Sequence, residues 1–173
     1  MPTSPPSEAP TEPRGGAAVT PPSVAEPPAI TTTSHRGPPR PGIPPLRLRV
    51  MVADDNRDAA DILGGLLSLA GADVRVCYDG AAAAAAVAEF RPDAGVFDLH
   101  MPGMDGCALA RVARGLAGIR PLLLVAVSGV GDEEAVRRTA AAGFDAHLTK
   151  PADPRALIAT LSDFDRSFRA KPR

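Results

Sequence analysis

Acidic, hydroxyl and basic side chains stand where several apolar segments of the chain end. Asp54 and Asp55 follow one such segment, Asp98 ends a second, and Ser128 and Lys150 end or follow two more. An ionised carboxylate in a protein interior is costly unless it is paired with a cation or bound to a metal. These five residues therefore either reach water separately or belong to one site.

Taken singly, each residue has an ordinary explanation: an aspartate caps a helix, a serine caps a turn, and a lysine is solvated at the surface. Taken together, they share one chemistry. Three carboxylates about 4–6 Å apart repel by roughly 1–4 kcal/mol per pair, and a divalent cation removes that repulsion. Ligands that are all oxygen favour Mg²⁺ over Zn²⁺. A lysine and a hydroxyl beside the metal suit phosphoryl oxygens, and one carboxylate can act as a nucleophile that forms an acyl phosphate.

The composition is that of one domain with a tail. The chain has 173 residues, of which 45% are hydrophobic and 3% aromatic, so the core must consist mainly of Ala, Val, Leu and Ile. The net charge of −1 gives no sign of binding to nucleic acid or to an anionic membrane. No apolar run is long enough to span a membrane, and the first residues do not read as a secretory signal, so we expect a cytoplasmic protein. Cys77 and Cys107 match no zinc spacing and are expected to be reduced.

The N-terminal quarter differs from the remainder. Residues 1–45 hold 14 of the 20 prolines, and we predict a disordered segment with polyproline II character. Its GPPRPGIPP stretch is either a plain spacer or a ligand for a proline-binding module. We place a folded domain at 46–165 and a short basic tail at 166–173, which is too small to fold as a DNA-binding domain.

Hydrophobic periodicity predicts five strands that alternate with five helices. The predicted strands are 47–53, 74–78, 94–98, 121–128 and 144–149. The predicted helices are 57–70, 81–90, 105–116, 133–142 and 153–163, with Asp132 as an N-cap and with Gly71 and Gly143 at helix ends. This pattern predicts an α/β fold with a doubly wound parallel sheet, in which ligands bind beyond the carboxyl ends of the strands.

Four motifs in these positions resemble the receiver domain of two-component response regulators. They are VADDN at 52–56, FDLHMPGMDG at 97–106, VAVSG at 125–129 and HLTKP at 147–151. The resemblance covers about residues 47–163. The sequence around 142–157 is especially similar to receivers attached to hybrid sensor kinases. It implies a flavodoxin-like sheet in the strand order 2-1-3-4-5.

The resemblance also implies a phosphorylation site. Asp98 would accept a phosphoryl group from a phosphohistidine on a sensor histidine kinase or phosphotransfer protein. Mg²⁺ would be bound directly by Asp55, through water by Asp54, and also by Asp98 and the backbone carbonyl of His100. Such a protein is a phospho-acceptor and not an enzyme beyond its own phosphotransfer and autodephosphorylation.

Further roles follow from the same resemblance. Lys150 would pair with a phosphoryl oxygen, and Ser128 with Gly129 would bind the phosphoryl group and respond to it. Three residues would shape the loops, with a cis bond before the last of them: Pro102, Gly103 and Pro151.

The chain departs from the family pattern at two places. His147 stands where the family often has Tyr or Phe, so it is either a switch residue with added pH sensitivity or a partly exposed edge histidine. His100 and Val130 stand at positions that tune the lifetime of the acyl phosphate. Neither is an acid or an amide that positions water, so we expect a lifetime that is not especially short.

We expect the output to be a surface change over 132–162 that a downstream protein recognises, with no attached output domain and no direct contact with nucleic acid or membrane. Two alternatives remain open: a receiver-like interaction module that is never phosphorylated, and a fragment of a longer hybrid histidine kinase. A haloacid-dehalogenase-like phosphatase fits less well, because it needs an aspartate where His100 stands. A flavodoxin-like cofactor binder fits less well too, because Asp54 and Asp55 replace its phosphate loop.

Overall fold

The fold is an open parallel sheet with helices on both faces. The computed structural model describes residues 45–118, 120–129 and 131–170. The sheet has the order β2-β1-β3-β4-β5, and neighbouring strands are parallel. Its strands are β1 (Arg49–Ala53), β2 (Asp73–Cys77), β3 (Ala94–Asp98), β4 (Leu123–Ser128) and β5 (Ala146–Thr149). The helices are α1 (Arg57–Leu69), α2 (Gly80–Phe90), α3 (Gly106–Ala117), α4 (Glu133–Ala142) and α5 (Pro154–Ala170). The predicted fold class and strand order are confirmed.

Alternate residues along the central strands face opposite helix layers, so the core has two halves. Met51 and Phe97 pack on the side of α2, α3 and α4. Val50 and Val96 pack on the other side, against residues of α1 and α5 that include Leu67, Leu157 and Leu161. Every residue of β3 and β4 is buried, which is the expected result for strands covered on both faces. Both halves of the core hold the sheet rigid beneath its carboxyl edge.

Short polar side chains start four of the helices. Each accepts a hydrogen bond from a backbone N–H in the first turn and so satisfies a donor that the helix itself cannot. The pairs are Asn56 with Ala59, Asp79 with Ala82, Asp105 with Ala108 and Asp132 with Ala135. Gly143 closes α4 with a φ of +100°. The predicted cap at Asp132 and the predicted end at Gly143 are confirmed.

The two ends of the domain differ from the sequence prediction. β1 begins at Arg49 and not at residue 47, because the N–H of Arg47 donates to the Asp165 carboxylate (3.0 Å) and not to a strand. α5 continues to Ala170 and does not end at residue 163. Asp165 also accepts from Arg169 Nε (2.6 Å), and the Phe164 and Phe168 rings stack one turn apart at 5.9 Å. These contacts extend the helix through the predicted boundary at 165.

Residues 1–44, which make up most of the predicted Pro-rich tail, lie outside the described residues, as does Val130. None of the helices in the described ranges combines the length and the apolar character that a bilayer crossing requires.

Candidate functional site

The carboxyl edge of the sheet gathers the polar residues singled out in the sequence. Asp98 is the last residue of β3 and Ser128 the last of β4. Asp54 directly follows β1, and Lys150 directly follows β5. The three middle strands and β5 run parallel, so their ends open into one crevice.

The three carboxylates form one cluster. Asp54, Asp55 and Asp98 each offer an oxygen, and these oxygens lie within 4.8 Å of one another. Asp98 is 5% exposed and Asp54 7% exposed, whereas Asp55 is exposed. The two buried acids therefore form the base of the site, and Asp55 faces solvent at its mouth.

Lys150 is the cation of this cluster. Its Nζ lies 2.9 Å from Asp54 Oδ2 and 3.3 Å from Asp98 Oδ1. Burial by itself lowers the pKa of Lys150, but the hydrogen bonds and charges of the two aspartates outweigh burial and raise that pKa above its ordinary value. Asp54 is held further by its Oδ1, which accepts the N–H of Asn56 at 2.9 Å. One lysine thus offsets part of the charge of three carboxylates.

The donor set fits a hard divalent cation. The clustered ligand atoms are all carboxylate oxygens, which suit Mg²⁺ and not the nitrogen and sulfur sites of Zn²⁺. Lys150 offsets one negative charge of three, so a net negative charge is left to attract a cation. Asp54, Asp55 and Asp98 are the residues that could hold it.

The β4 and β5 ends are joined at the site. The backbone N–H of Lys150 donates to the carbonyl of Ser128 at 2.7 Å, and Ser128 is fully buried. Gly129 is exposed directly after it. A Cβ on Gly131 would lie 2.1 Å from Thr149 Cγ2, so the loop after β4 lies directly on β5. Gly131 was not singled out from the sequence, because its role depends on a contact between two separate loops.

The loop after Asp98 is held by close backbone contacts. Gly103 has a φ of +79°, and Met104 N–H donates to the Pro102 carbonyl at 3.0 Å. A Cβ on Gly106 would lie 2.2 Å from the Asp98 carbonyl oxygen. Gly106 therefore allows α3 to start directly beneath Asp98. Sequence reasoning placed Gly106 within a motif but gave it no role, since only the three-dimensional contact shows one.

His147 joins β5 to α4. Its Nδ1 lies 3.2 Å from Oγ1 of the buried Thr139. The Thr139 hydroxyl lies 2.9 Å from the Val136 carbonyl, to which it can donate, an arrangement that fits an imidazole with its hydrogen on Nδ1. His147 is half-buried. Lys150, three residues later, is followed by a cis bond to Pro151 as predicted.

The sheet order and the acidic, lysine-containing crevice define the class of protein. A family model described as the response regulator receiver domain matches residues 50–162. The chain belongs to this family.

Several curated proteins are similar to this chain. The DNA-binding response regulator MtrA of Mycolicibacterium paratuberculosis is 36% identical over 116 residues, which are 67% of this chain and 50% of that protein. The sensory/regulatory protein RpfC of Xanthomonas campestris pv. campestris is 38% identical over 125 residues, which are 70% of this chain and 17% of that protein. The chain thus matches about half the length of MtrA and a smaller part of RpfC.

Solved structures agree with the assignment. The receiver domain of the Francisella response regulator 1452 is 27% identical, with a TM-score of 0.64 over 72% of this chain and 100% of that one. A putative response regulator from Chloroflexus aurantiacus is also 27% identical, with a TM-score of 0.64 over 69% of this chain and 98% of that one. The part of the chain that matches is the α/β domain described above.

Proposed function

We propose that Asp98 accepts a phosphoryl group from a phosphohistidine of a sensor histidine kinase or phosphotransfer protein. The observation that carries this proposal is the position of Asp98. It is a buried carboxylate at the carboxyl end of a central strand, 3.3 Å from Lys150 and clustered with two further acids. Membership of the receiver family supports the same role.

In the proposed step an Asp98 carboxylate oxygen attacks the phosphorus. The P–N bond of the donor breaks, a P–O bond to Asp98 forms, and the released imidazole takes up a proton. Lys150 lies where it can pair with an oxygen of the new acyl phosphate. Asp54, Asp55, Asp98 and the backbone carbonyl of His100 would hold Mg²⁺, which when bound neutralises charge on phosphoryl oxygens.

Phosphorylation would act on a surface, residues 132–162, that a downstream protein recognises. Ser128 with Gly129 lies at the end of β4, next to the strand that carries His147. The His147 contact with Thr139 connects this region to α4. A charge added at Asp98 would bias this region between two arrangements. The cytoplasm is the compartment in which we expect this chemistry.

The test is phosphoryl uptake from acetyl phosphate. We expect the purified chain with Mg²⁺ to gain one phosphoryl group by intact mass, and to lose this ability when a chelator is added. Asp98→Asn should gain none, because an amide is not a nucleophile of this kind. Asp163→Asn is the matched control, since Asp163 is an exposed acid on α5 and should not change the uptake.

Two results would contradict the proposal. One is uptake that survives in Asp98→Asn. The other is a wild-type chain that gains no phosphoryl group and shows no spectral change with beryllofluoride, which would favour a receiver-like interaction module that is never phosphorylated.

A further inference from the structure

A cavity lies beside the loop that follows Asp98, and none of the three clustered carboxylates lines it. It has a volume of about 540 Å³ and is bounded by the loop after β3, by α3 and by α4. Leu99, Met101 and Pro102 supply apolar lining, and Arg111 and Arg138 supply charge. Its volume is in the range of small-molecule sites, roughly 300–1,000 Å³, and exceeds the needs of a single inorganic ion.

The two arginines of this cavity differ from the arginines that neighbour them on the same helices. Arg114 on α3 donates to the Gly143 carbonyl and pairs with Asp145. Arg137 on α4 pairs with two glutamates of the first helical turn. Within the described ranges, the Arg111 and Arg138 side chains have no hydrogen bond or ion pair. Two guanidinium groups from different helices therefore converge on one cavity without an acidic partner.

The charge balance of the cavity is positive. Its acidic lining residue is Asp105, whose Oδ1 accepts the N–H of Ala108 at 2.7 Å as the cap of α3. Two arginines against one aspartate leave a surplus of positive charge. The two arginines also lie near the Cys107 thiol. Burial, followed by the charge of Asp105, raises the pKa of Cys107, and the charges of Arg138 and Arg111 oppose this rise. Arg111 and Arg138 therefore both lie close enough to Cys107 to influence the charge of its thiol.

We propose that this cavity binds a small organic anion that carries a phosphate or carboxylate group on an apolar body. Planar guanidinium groups bind the oxygens of both anions through paired hydrogen bonds. Pro102 is exposed and offers an apolar surface to the rest of the molecule, whereas Leu99 and Met101 are almost fully buried and add little area. Neither the phosphoryl chemistry nor the acidic cluster is required for this binding, because Asp54, Asp98 and Lys150 do not line the cavity.

The test uses NMR of the ¹⁵N-labelled full chain without phosphoryl donor and with a chelator present. The probes are AMP, phenyl phosphate and benzoate as organic anions, pyrophosphate as an anion without an apolar body, and adenosine as a body without charge. We expect saturable shifts from at least one organic anion at residues 99–102, Cys107 and Arg138. Pyrophosphate should bind more weakly and adenosine should cause no saturable shift.

Variants distinguish binding in this cavity from nonspecific attraction of anions to the protein surface. Arg111→Ala and Arg138→Ala should each weaken binding by about tenfold. Arg137→Ala is the matched control and should bind as wild type does, since Arg137 is adjacent in sequence but does not line the cavity. Arg111 and Arg138 are exposed, so these variants are expected to fold, which their spectra will show directly.

Two outcomes would overturn the proposal. One is no saturable shift from any of the three organic anions, and the other is binding that persists in Arg111→Ala and Arg138→Ala. Asp98→Asn should bind the anion as wild type does, so failure of the acceptor proposal and failure of this one are distinguishable.

Discussion

At the scale of single residues, Lys150 holds two buried carboxylates together. Its contacts with Asp54 and Asp98 stabilise both acids, and they also occupy oxygens that a divalent cation needs. A bound divalent cation would therefore compete with Lys150 for the same carboxylate oxygens. In the proposed reaction, the same lysine would then be available to a phosphoryl oxygen.

Lys150→Met should separate these two roles. We expect Mg²⁺ to bind severalfold more tightly, because a competing positive charge is gone. Phosphoryl uptake from acetyl phosphate should fall by about tenfold or more, because a cation facing the phosphoryl oxygens is lost. Metal titration by calorimetry and uptake by intact mass measure the two effects. An unchanged metal affinity would show that Lys150 does not compete with the ion, and Lys150→Arg, which keeps the charge, is the control.

Because Cys77 is buried, we expect the protein to lose stability in alkaline solution. Burial raises its pKa from 9.0 to about 11, against a smaller lowering by Arg75 and a further raising by Asp79. The unfolded chain loses the thiol proton near pH 9 while the folded chain keeps it. The protonated Cys77 thiol therefore makes its full contribution to the free energy of unfolding below pH 9. That contribution, roughly 2–3 kcal/mol, is lost as the pH rises to about 11.

Urea unfolding from pH 8 to pH 11 measures this effect. Cys77→Ala should be less stable than wild type at pH 8, because it leaves space in the core, and the difference should narrow as the pH rises. Other titrating groups are common to both proteins and cancel in the comparison. A difference that stays constant across this range would contradict the prediction.

At the scale of elements, replacing two glycines of α3 by alanine should have opposite effects on stability. A Cβ on Gly106 would lie 2.2 Å from the Asp98 carbonyl oxygen, whereas a Cβ on Gly115 would meet nothing within 4 Å. Gly106→Ala must shift either the start of α3 or the end of β3. We expect it to destabilise the fold and to lower phosphoryl uptake.

Gly115→Ala is the matched control on the same helix. It should raise the free energy of unfolding by about 0.5–1 kcal/mol, because alanine is the better helix former and the position is open. Phosphoryl uptake should stay at the wild-type rate. Chemical denaturation and the uptake assay test the pair, and normal uptake by a folded Gly106→Ala chain would show that the contact does not position Asp98.

At the scale of the whole molecule, Asp165 connects the last helix to the segment just before the first strand. This carboxylate is 7% exposed, accepts the N–H of Arg47 at 3.0 Å and pairs with Arg169 at 2.6 Å. Asp165→Ala should lower the free energy of unfolding by about 1–3 kcal/mol, since it leaves a part-buried donor without its partner. Urea denaturation measures the loss.

Asp163→Ala is the control for this contact. Asp163 pairs with Arg166 on the exposed face of α5, and pairs of this kind contribute about 0–1 kcal/mol. Its removal should change stability by less than about 0.5 kcal/mol. Equal losses in the two variants would show that Asp165 does not join the ends of the domain.

The sequence predicted the helices and strands well because the signals for them are local. Apolar periodicity marked each strand, and Asp132 and Gly143 marked the limits of α4 through their own cap chemistry. The ends of the domain were predicted less well. The length of α5 depends on Asp165 meeting Arg47, and those two residues are far apart along the chain.

Several properties were set by the sequence alone: a parallel α/β sheet, polar residues at or just after the ends of four of its five strands, and acids together with one lysine at a common edge. Other properties were decided only by the tertiary structure. They include the pairing of Lys150 with Asp54 as well as Asp98, the contact of Gly106 with the Asp98 backbone, and a cavity lined by Arg111 and Arg138. The reason is that residue type and spacing specify which groups reach an edge or a helix face, whereas the distance between groups on separate elements depends on how the sheet and helices pack.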